Sequence, residues 1–508
     1  GVFGGLSYAL PELPITAQLQ FNSDAYKREV RLGTLVRSNP WSIGFNWDIT
    51  PAVRLGVSYQ QQEYLGLTLR SKINFKQPPK RKFDSFYSVA DESGRKQAPS
   101  WLDLDAWYDT LLFDAERSGL RIYRVSAPPG SRIAQFEIAN DRFLLTADAI
   151  QQFLTLSEIH LPEQFNQVDL LLREGELRAP TVTYVRKPRG QGGILSRQQA
   201  QILKPKGIKI QPPRELVRPT HKTEFGYPKL ALGADIAMRV QLMDPNEPLK
   251  HQLYIKGTAR LALNDTNNVW SSFSVDLSND FNTRRPSDSV LPRVRSEINR
   301  YLTDGKTGID TLYFEHKRNF SDSWHARLYV GFPEEMFGGA GAEFLYEPFG
   351  ARWAIGANIN WVKQRGYAKD FSFQDYQIMT GLLSAFYASP WYNLDFGVHA
   401  GRYLAGDRGV TYEVRRTFEN GFSMGAFFTR TNVSALDFGE GSFDKGMYLT
   451  VPVGAFFSRN SRYRYSTVIR SIERDGGRRL EGGIGNLWWD RRAVRFDSLS
   501  TQKRRMVP

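Results

Sequence analysis

Acidic side chains on predicted strands are the residues of this sequence most able to do chemistry. Glu334 and Glu335 form an adjacent acidic pair, and paired carboxylates are what a glycosidase uses for acid and base catalysis. Neighbouring residues on a strand point to opposite faces, so this pair is a poor catalytic couple. His399 shares a face with Asp395 and could pair with it, although a hydrogen-bonded structural histidine is the simpler interpretation. The sequence therefore predicts no catalytic residue.

The residue composition limits the cofactors that this chain can hold. The 508 residues include no cysteine and six scattered histidines, so neither a disulfide framework nor a thiolate metal site is possible. The formal net charge is +14, and ten Lys or Arg against one acid lie between Arg186 and Lys222. Such a run is typical of a solvated linker, and it also attracts phosphate, acidic glycans or anionic lipid headgroups. We expect no metal ion, no cofactor and no nucleic-acid partner.

The strands that must position polar side chains are clearest in the segment RWAIGANINWVK. Its apolar face begins at Trp353 and ends at Trp361, while Asn358 and Asn360 lie on the other face. Eight residues of strand separate the two tryptophans by about 26 Å, which matches the apolar band and aromatic girdles of an outer-membrane barrel. The segment WYNLDFGVHAGRY repeats the alternation, with Tyr392 as a further girdle residue. This pattern predicts strands that face lipid on one side and water on the other.

A soluble β-sandwich or propeller also alternates apolar and polar residues, and three features argue against it. The strands are longer than the roughly 5–6 residues typical of soluble sheets. The second face is polar or rich in glycine, as a wet lumen requires, and many hairpins follow one another without a helix. No apolar run reaches the roughly 18 residues of a transmembrane helix. We predict a mainly β protein, a large outer-membrane transmembrane β-barrel, with about thirteen strands after residue 225 and roughly four or five before residue 76.

Changes of pattern divide the chain into six regions. Helical spacing in DAWYDTLLFDAERSG and TADAIQQFLTLS, between strand-like segments, indicates a small α/β domain inserted between two groups of barrel strands, and we assign it to the periplasm. The regions are barrel strands at 1–75, a linker at 76–100, the α/β domain at 101–186, a basic linker at 187–225, barrel strands at 226–490 and a basic tail at 491–508.

Five segments in this order are similar to the YjbH/GfcD family of Gram-negative envelope proteins. They are SVLPRVRSEINRY, EEMFGGAGAEFLYEP, WVKQRGY, AGRYLAGDRGVTYEVRRTF and FGEGSFDKGMYLTVPV. The resemblance is close after residue 225 and looser before it. It implies a place in the outer membrane of a Gram-negative bacterium, a large barrel and a role in exopolysaccharide or capsule production. It also implies partners, namely a periplasmic protein and a small lipoprotein of the same export system.

Members of that family carry further strands and a targeting signal ahead of the position that matches Gly1. A strand edge left bare in lipid costs several kcal/mol for each unpaired backbone group. We therefore expect a missing segment or a second chain to complete the barrel wall.

The strand pattern and the resemblance together predict export or surface assembly of an exopolysaccharide by passive conduction, without catalysis. A conduit needs polar side chains that bind sugars weakly and repeatedly, so that the polymer also leaves. Two alternatives stay open, a secreted or surface polysaccharide-modifying enzyme and a plugged barrel scaffold that recruits periplasmic partners. By strand parity, the candidates for glycan contact in the lumen are Arg327, Asn358, Asn360, Asp395, His399 and Tyr403.

Several other charged residues also have predicted roles. Arg293, Arg295 and Arg300 lie near a strand end, where they could meet lipopolysaccharide phosphates or an acidic polymer. A solvated loop is the simpler interpretation of these three arginines. Glu413 and Arg415 share one face of a strand, which predicts an ion pair in the lumen.

Three glycines interrupt a strand-like segment at Gly338, Gly339 and Gly341. They are divided between both faces of the strand, so they do not form a stripe along the lumen. Glycine inside a strand often marks a bulge or a place where other atoms approach the backbone closely. We expect a bent or bulged strand here, where bulky side chains or another segment approach the backbone closely.

Overall fold

The computed structural model divides the chain into two compact units. The first is Gly1–Lys80 with Ala455–Ser458, and the second is Arg81–Gly454 with Arg459–Pro508. The linker predicted at 76–100 lies outside the residues that the structure describes. The described residues are 2–24, 39–50, 53–60, 64–72, 107–186, 207–216, 218–223, 227–242, 249–281, 289–439, 442–455, 460–470 and 474–508.

Five antiparallel strands in sequence order form the sheet of the first unit. Their side chains alternate as expected, since Trp41, Phe45 and Trp47 are exposed while Gly44 between them is buried. One face of this sheet is therefore apolar and uncovered within the unit. The strands are β1 (Phe3–Ala9), β2 (Ile15–Asn22), β3 (Trp41–Thr50), β4 (Val53–Gln60) and β5 (Tyr64–Ser71).

The α/β domain of the second unit is a six-stranded sheet with two helices. The strand order is β10-β9-β8-β7-β6-β11, and only β7 and β8 are parallel, because the second helix connects them. Ile150, Phe153 and Leu154 are fully buried on one face of that helix, the spacing that packs a helix on a sheet. The elements are α1 (Trp107–Ser118), β6 (Leu120–Ser126), β7 (Ile133–Asn140), α2 (Thr146–His160), β8 (Gln167–Glu174), β9 (Leu177–Val185), β10 (Ile208–Gln211) and β11 (His221–Lys222).

Thirteen antiparallel strands in sequence order form the large sheet of the second unit. The strands are β12 (Lys229–Leu242), β13 (Leu249–Ala262), β14 (Asn267–Asn279), β15 (Gly308–Asn319), β16 (Trp324–Phe332), β17 (Phe337–Tyr346), β18 (Trp353–Arg365), β19 (Phe373–Ala388), β20 (Leu394–Arg402), β21 (Arg408–Thr417), β22 (Ser423–Thr431), β23 (Asp444–Pro452) and β24 (Arg464–Arg470). The remaining helices are α3 (Ile298–Thr303), α4 (Ala435–Phe438), α5 (Leu487–Asp490) and α6 (Phe496–Thr501), and the 3₁₀ turns are Val453–Ala455 and Lys503–Met506.

The two faces of the large sheet differ in chemistry. In β18, Trp353 and Trp361 are 44% and 52% exposed, whereas Ala354 and Asn360 are 1% and 2% exposed. The predicted alternation of this strand is therefore confirmed. One face of the sheet carries exposed apolar side chains, and the opposite face, called the polar face below, is covered.

Tyr392 does not continue this pattern. It lies in the turn before β20, with a φ of 56°, and its side chain is exposed. A residue with positive φ has left the extended conformation that gives a strand its alternation. Its predicted place on the apolar face of a strand was wrong.

The edges of the large sheet are open within the described residues. There β12 pairs only with β13, and β24 pairs only with β23. The mainly β class is confirmed, whereas closure into a barrel stays a prediction. Among the described residues, no helix is long and apolar enough to span a membrane.

The three glycines of β17 lie close to atoms of neighbouring residues, and the strand has no bulge. The register of β17 runs without a shift against both β16 and β18, so the expected bulge is absent. A Cβ on Gly339 would lie 2.1 Å from the backbone oxygen of Trp361, and one on Gly341 would lie 2.3 Å from the Asn360 side chain. Neighbouring atoms fill the space that a side chain needs, so glycine is required at these positions.

Candidate functional site

The C-terminal segment (Asp475–Pro508) packs against the polar face of the large sheet. Trp488 is 1% exposed and stacks on Phe386 of β19, with ring centroids 5.4 Å apart. Leu487 joins them in an apolar cluster with Leu345 of β17. The tail predicted at 491–508 is instead folded, because α6 and the last 3₁₀ turn lie within it. These apolar contacts hold the polar groups of the segment at fixed positions on the sheet.

Glu334 forms the first strong contact between the sheet and the C-terminal segment. Its two carboxylate oxygens accept hydrogen bonds from Arg295 at 2.7 and 2.8 Å. One of them also accepts the backbone N–H of Glu481 at 2.6 Å. A bidentate arginine pair that is also hydrogen-bonded fixes direction as well as distance. Glu334 thus fastens the segment near the start of β17.

Glu343 forms a second contact of the same kind farther along β17. Its carboxylate accepts the backbone N–H of Gly485 at 3.1 Å and that of Leu487 at 2.8 Å. The side chain of Glu343 is buried, so these two donors replace the water that it loses. Arg327 of β16 donates to the carbonyl of Gly483 at 2.6 Å. The backbone of the segment is therefore recognised directly by side chains of the sheet.

Arginines of the C-terminal segment pair with carboxylates of the sheet. Asp395 of β20 accepts from Arg492 at 2.6 Å and from Arg495 at 2.5 Å. Arg491 donates to Glu347 at 2.8 Å. A buried carboxylate is stable only with such partners. The basic character of residues 491–508 is thus used to bind the sheet.

Glu413 of β21 lies at the centre of a further network. It pairs with Arg415 at 3.2 Å, which confirms the predicted ion pair, and it accepts from His399 at 2.8 Å. From the segment, Trp489 donates its indole N–H at 3.0 Å and Arg479 approaches to 3.5 Å. These contacts hold the carboxylate of Glu413 on the polar face, where its side chain is fully buried.

His399 and Asp395 do not form the pair that their shared strand face suggested. His399 contacts Ser384 and Glu413 instead, while Asp395 binds two arginines of the segment. Four residues of strand place their Cα atoms about 13 Å apart, which is too far for a hydrogen bond between them. Cross-strand neighbours supply the partners, as sheet geometry favours.

The start of the C-terminal segment is fastened to two loops. Asp475 accepts the backbone N–H groups of Arg295 and Ser296 at 2.7 and 2.9 Å. Asp407, in the turn between β20 and β21, accepts the N–H of Gly477 at 2.8 Å. Burial raises the pKa of Asp407, and the Gly477 N–H acts in the opposite direction. This loop contact is therefore sensitive to pH.

Between the segment and the sheet remains a cavity of only about 10 Å³, roughly the space of one water molecule. Four of the predicted glycan-contact residues line it, namely Asn358, Asn360, His399 and Tyr403. Gly485 of the segment lies against Asn358. Burial raises the pKa of Tyr403 to about 12, so its hydroxyl is neutral and hydrogen-bonds Thr411 at 2.6 Å. The structure brings these candidates together but leaves them no room for a sugar.

Arg327 is the remaining glycan-contact candidate on this face besides Asp395. It is 3% exposed and pairs with Glu315 at 2.6 Å. All six candidates therefore contribute to the polar face or to its loop, and none is open to a polymer in this conformation.

The three arginines predicted to meet an anionic partner have different environments. Arg295 is buried against Glu334, so the structure contradicts its predicted role. Arg293 pairs with Glu297 at 2.9 Å, and Arg300 lies over the ring of Tyr367 at 3.6 Å. Both keep exposed side chains. Of the three arginines, these two are the ones whose side chains remain exposed.

In a comparison with known proteins, residues 1–487 match the model of the YjbH family, which is described as "Exopolysaccharide biosynthesis protein YbjH". The chain belongs to the YjbH family. The chain is also similar to the "Uncharacterized lipoprotein YjbH" of Escherichia coli (strain K12), with 29% identity over 94% of this chain and 68% of that protein. The resemblance inferred from five segments is therefore confirmed over nearly the whole chain.

The C-terminal segment also joins this YjbH-family sheet to the α/β domain. Arg505 pairs with Asp148 of α2 at 2.8 Å, and Arg491 donates to the carbonyl of Arg178 at 3.0 Å. Met506 is fully buried in the domain core, together with Val494 and Leu499. Strands β10 and β11 of that domain come from the predicted basic linker at 187–225. Sequence analysis missed this arrangement.

The signal that could have indicated it is the apolar content of the C-terminal segment. Leu487 and Trp488 precede the basic run, and Val494 and Leu499 interrupt it. A solvated tail has no need of such residues. Their spacing is too irregular to define a helix face. The prediction of a basic tail at 491–508 therefore rested on charge.

Proposed function

We propose that the chain is a passive outer-membrane wall for exopolysaccharide export, with the polar face along the polymer path and the C-terminal segment as its movable plug. The observation that carries the proposal is the division of faces in the large sheet. Apolar residues such as Trp353 and Trp361 are exposed on one face, and the other face carries carboxylates and amides. A lipid-facing strand has this alternation. Family membership supplies the polymer class.

A place in the envelope is supported by the name of the Escherichia coli relative, which calls that protein a lipoprotein. In this proposal the α/β domain lies in the periplasm, where it meets the proteins that deliver the polymer. Lipopolysaccharide, a periplasmic protein and a small lipoprotein of the same system are the proposed partners. The open edges of the sheet are completed by a further segment or by a second chain.

The proposal includes no catalysis. The carboxylates of the polar face that would serve a polysaccharide-modifying enzyme are held by arginines or backbone N–H groups, as at Glu343 and Asp395. A glycosidase needs two carboxyl groups on either side of a bound sugar. Incubating the purified protein with its polymer and measuring chain length tests this part, and shortening of the polymer would favour the enzyme.

A plugged scaffold is the second candidate function, and the filling of the polar face by the C-terminal segment favours it. Conductance in planar bilayers separates the two functions. The wild-type protein should pass little current, and a variant with Arg492→Ala and Arg495→Ala should open, because both contacts to Asp395 are lost. Arg504→Ala, which removes an exposed arginine of the same segment, is the control and should stay closed. Silence of the double variant would reject the conduit in favour of the scaffold.

A further inference from the structure

A second cavity, called the junction cavity, lies where the α/β domain meets β12 and β13. Its volume is about 280 Å³. The α/β domain contributes residues of β6, β7 and β8, including Tyr123, and the sheet contributes Lys229, Ala231 and Arg260. None of these residues belongs to the plug contacts on the polar face. The junction cavity is therefore a separate feature of the second unit.

Ion pairs fix the polar side chains of the junction cavity. Arg121 pairs with Asp141 at 2.6 Å, and Arg173 pairs with Asp265 at 3.4 Å. A guanidinium has five N–H donors and a carboxylate has about four acceptor positions. Several hydrogen-bonding atoms therefore fix the geometry of each pair at the cavity wall.

Two further ion pairs complete this wall. Arg260 pairs with Glu176 at 2.5 Å, and Arg462 pairs with Glu174. Both carboxylates belong to the end of β8 and the turn that follows it, whereas Arg260 lies on β13. The pairs thus connect the domain to the sheet across the cavity.

The aromatic residues of the junction cavity add flat apolar surface. Arg173 lies over the ring of Tyr123 at 4.5 Å, which holds that ring in place. Tyr227 donates its hydroxyl to Asp265 at 2.9 Å and remains exposed. A ring held in this way contributes contact area at little cost in side-chain entropy.

The charge balance of the wall restricts the ligand. Five cationic side chains face four carboxylates, which leaves one excess positive charge. Apart from the tyrosines, the apolar lining consists of small residues such as Ala231 and Ala262. The wall therefore suits a ligand rich in hydroxyl groups that is neutral or carries one negative charge. The cations are Arg121, Arg173, Lys229, Arg260 and Arg462, and the carboxylates are those of Asp141, Glu174, Glu176 and Asp265.

We propose that the junction cavity binds one or two sugar units of a polysaccharide, either neutral or bearing a single carboxylate. A sugar hydroxyl both donates and accepts hydrogen bonds. It can therefore accept from an arginine and donate to the carboxylate paired with that arginine. The volume of about 280 Å³ is just below the roughly 300–1,000 Å³ of small-molecule sites, which restricts the ligand to a short saccharide. The choice of a saccharide rests on the proposed export function. This site would hold the polymer against the polar face of the large sheet at β12 and β13.

Two neighbouring residues of β12 provide the test. Ala231 lines the junction cavity, while Leu232 is on the opposite side of the strand and is 75% exposed. Ala231→Trp should fill the cavity, and Leu232→Trp adds the same ring outside it. Full-length protein in detergent is titrated with cellobiose and, separately, with glucuronate, and binding is followed by saturation-transfer NMR and calorimetry. We expect at least one probe to bind wild type and Leu232→Trp equally, and Ala231→Trp at least tenfold more weakly.

Three results would overturn the proposal. They are absence of saturation by both probes in wild type, binding that survives Ala231→Trp, and equal loss in both variants although both remain folded. If Ala231→Trp instead releases a copurifying protein and leaves sugar binding unchanged, the cavity binds a polypeptide and the saccharide assignment is wrong. The conductance of the variant with Arg492→Ala and Arg495→Ala is measured without sugar. If that variant passes no current, the conduit is rejected, and the sugar titrations still test whether the junction cavity binds a saccharide.

Discussion

Arg495 and Asp395 form a fully buried ion pair between the C-terminal segment and the large sheet. Their side chains are each 1% exposed, and Nη2 lies 2.5 Å from Oδ1. The two residues are 100 positions apart in the sequence. Arg495 also lies over the ring of Trp488 at 3.7 Å. One arginine thus connects the sheet, the buried Trp488 of the C-terminal segment and helix α6.

Arg495→Met should loosen the C-terminal segment strongly. Removing one member of a buried pair leaves an uncompensated charge and costs about 3–5 kcal/mol. Hydrogen exchange of residues 486–500 should accelerate, while the strands of the large sheet keep their protection. Unchanged exchange in the segment would contradict the role of this pair.

The double variant Asp395→Leu with Arg495→Met should recover most of that loss. Replacing both charges with apolar groups of similar size is often neutral or stabilising. Arg492 and Asp497, which lie 3.8 Å apart, remain to pair with each other. Hydrogen exchange of the same residues measures the recovery, and a further loss would show that the arginine acts through another contact.

Gly339→Ala should impair folding of the large sheet. The new Cβ would lie 2.1 Å from a backbone oxygen of β18, and a paired backbone does not yield as a side-chain tip does. Overpacking of this kind costs about 1–3 kcal/mol or more. Gly257→Ala in β13 is the matched control, because its nearest contact would be an ordinary 3.8 Å. Thermal unfolding in detergent compares the two, and equal melting temperatures would exclude the close approach as the reason for glycine.

Strand content and face chemistry were predictable, because both are local. The alternation from Trp353 to Trp361 is visible in consecutive residues, and each strand pairs with its neighbour in the chain. The packing of the C-terminal segment on the sheet was not predictable, since contacts such as Asp395 with Arg495 join distant residues. A basic segment with irregular apolar residues has no period to indicate what it packs against. The close approach to the backbone at Gly339 was predicted and is confirmed, whereas the bulge predicted with it is absent.

Asp407→Asn should stabilise the protein at neutral pH. Burial raises the folded-state pKa of Asp407, so the folded state binds a proton more readily than the unfolded state. Stability from this group is greatest below the unfolded pKa, about 3.9, and is lost as pH rises through the raised folded pKa. Asparagine keeps the oxygen that accepts from Gly477 and removes the charge.

The melting temperature of Asp407→Asn should therefore exceed that of wild type near neutral pH, and the difference should shrink toward about pH 4. Asp322→Asn, in an exposed turn of the large sheet, controls for the change of net charge. A variant that is less stable than wild type at neutral pH would show that ionised Asp407 is favoured in the folded state.

Met506→Ala should release the end of the C-terminal segment from the α/β domain. Met506 is fully buried, and truncation of a buried methionine to alanine costs about 2–5 kcal/mol. The last residues of the segment would then lose one of their buried contacts with the domain, so trypsin should cut after residues 504 and 505 faster than in wild type. Thr501→Ala, at an exposed position of α6, should not change the cleavage rate. Val494 lies in the same core as Met506, and Arg492 lies two residues before it. Hydrogen exchange of the backbone near Arg492 should therefore also rise. Faster cleavage without a rise in hydrogen exchange near Arg492 would show that the α/β domain does not hold the C-terminal segment on the sheet.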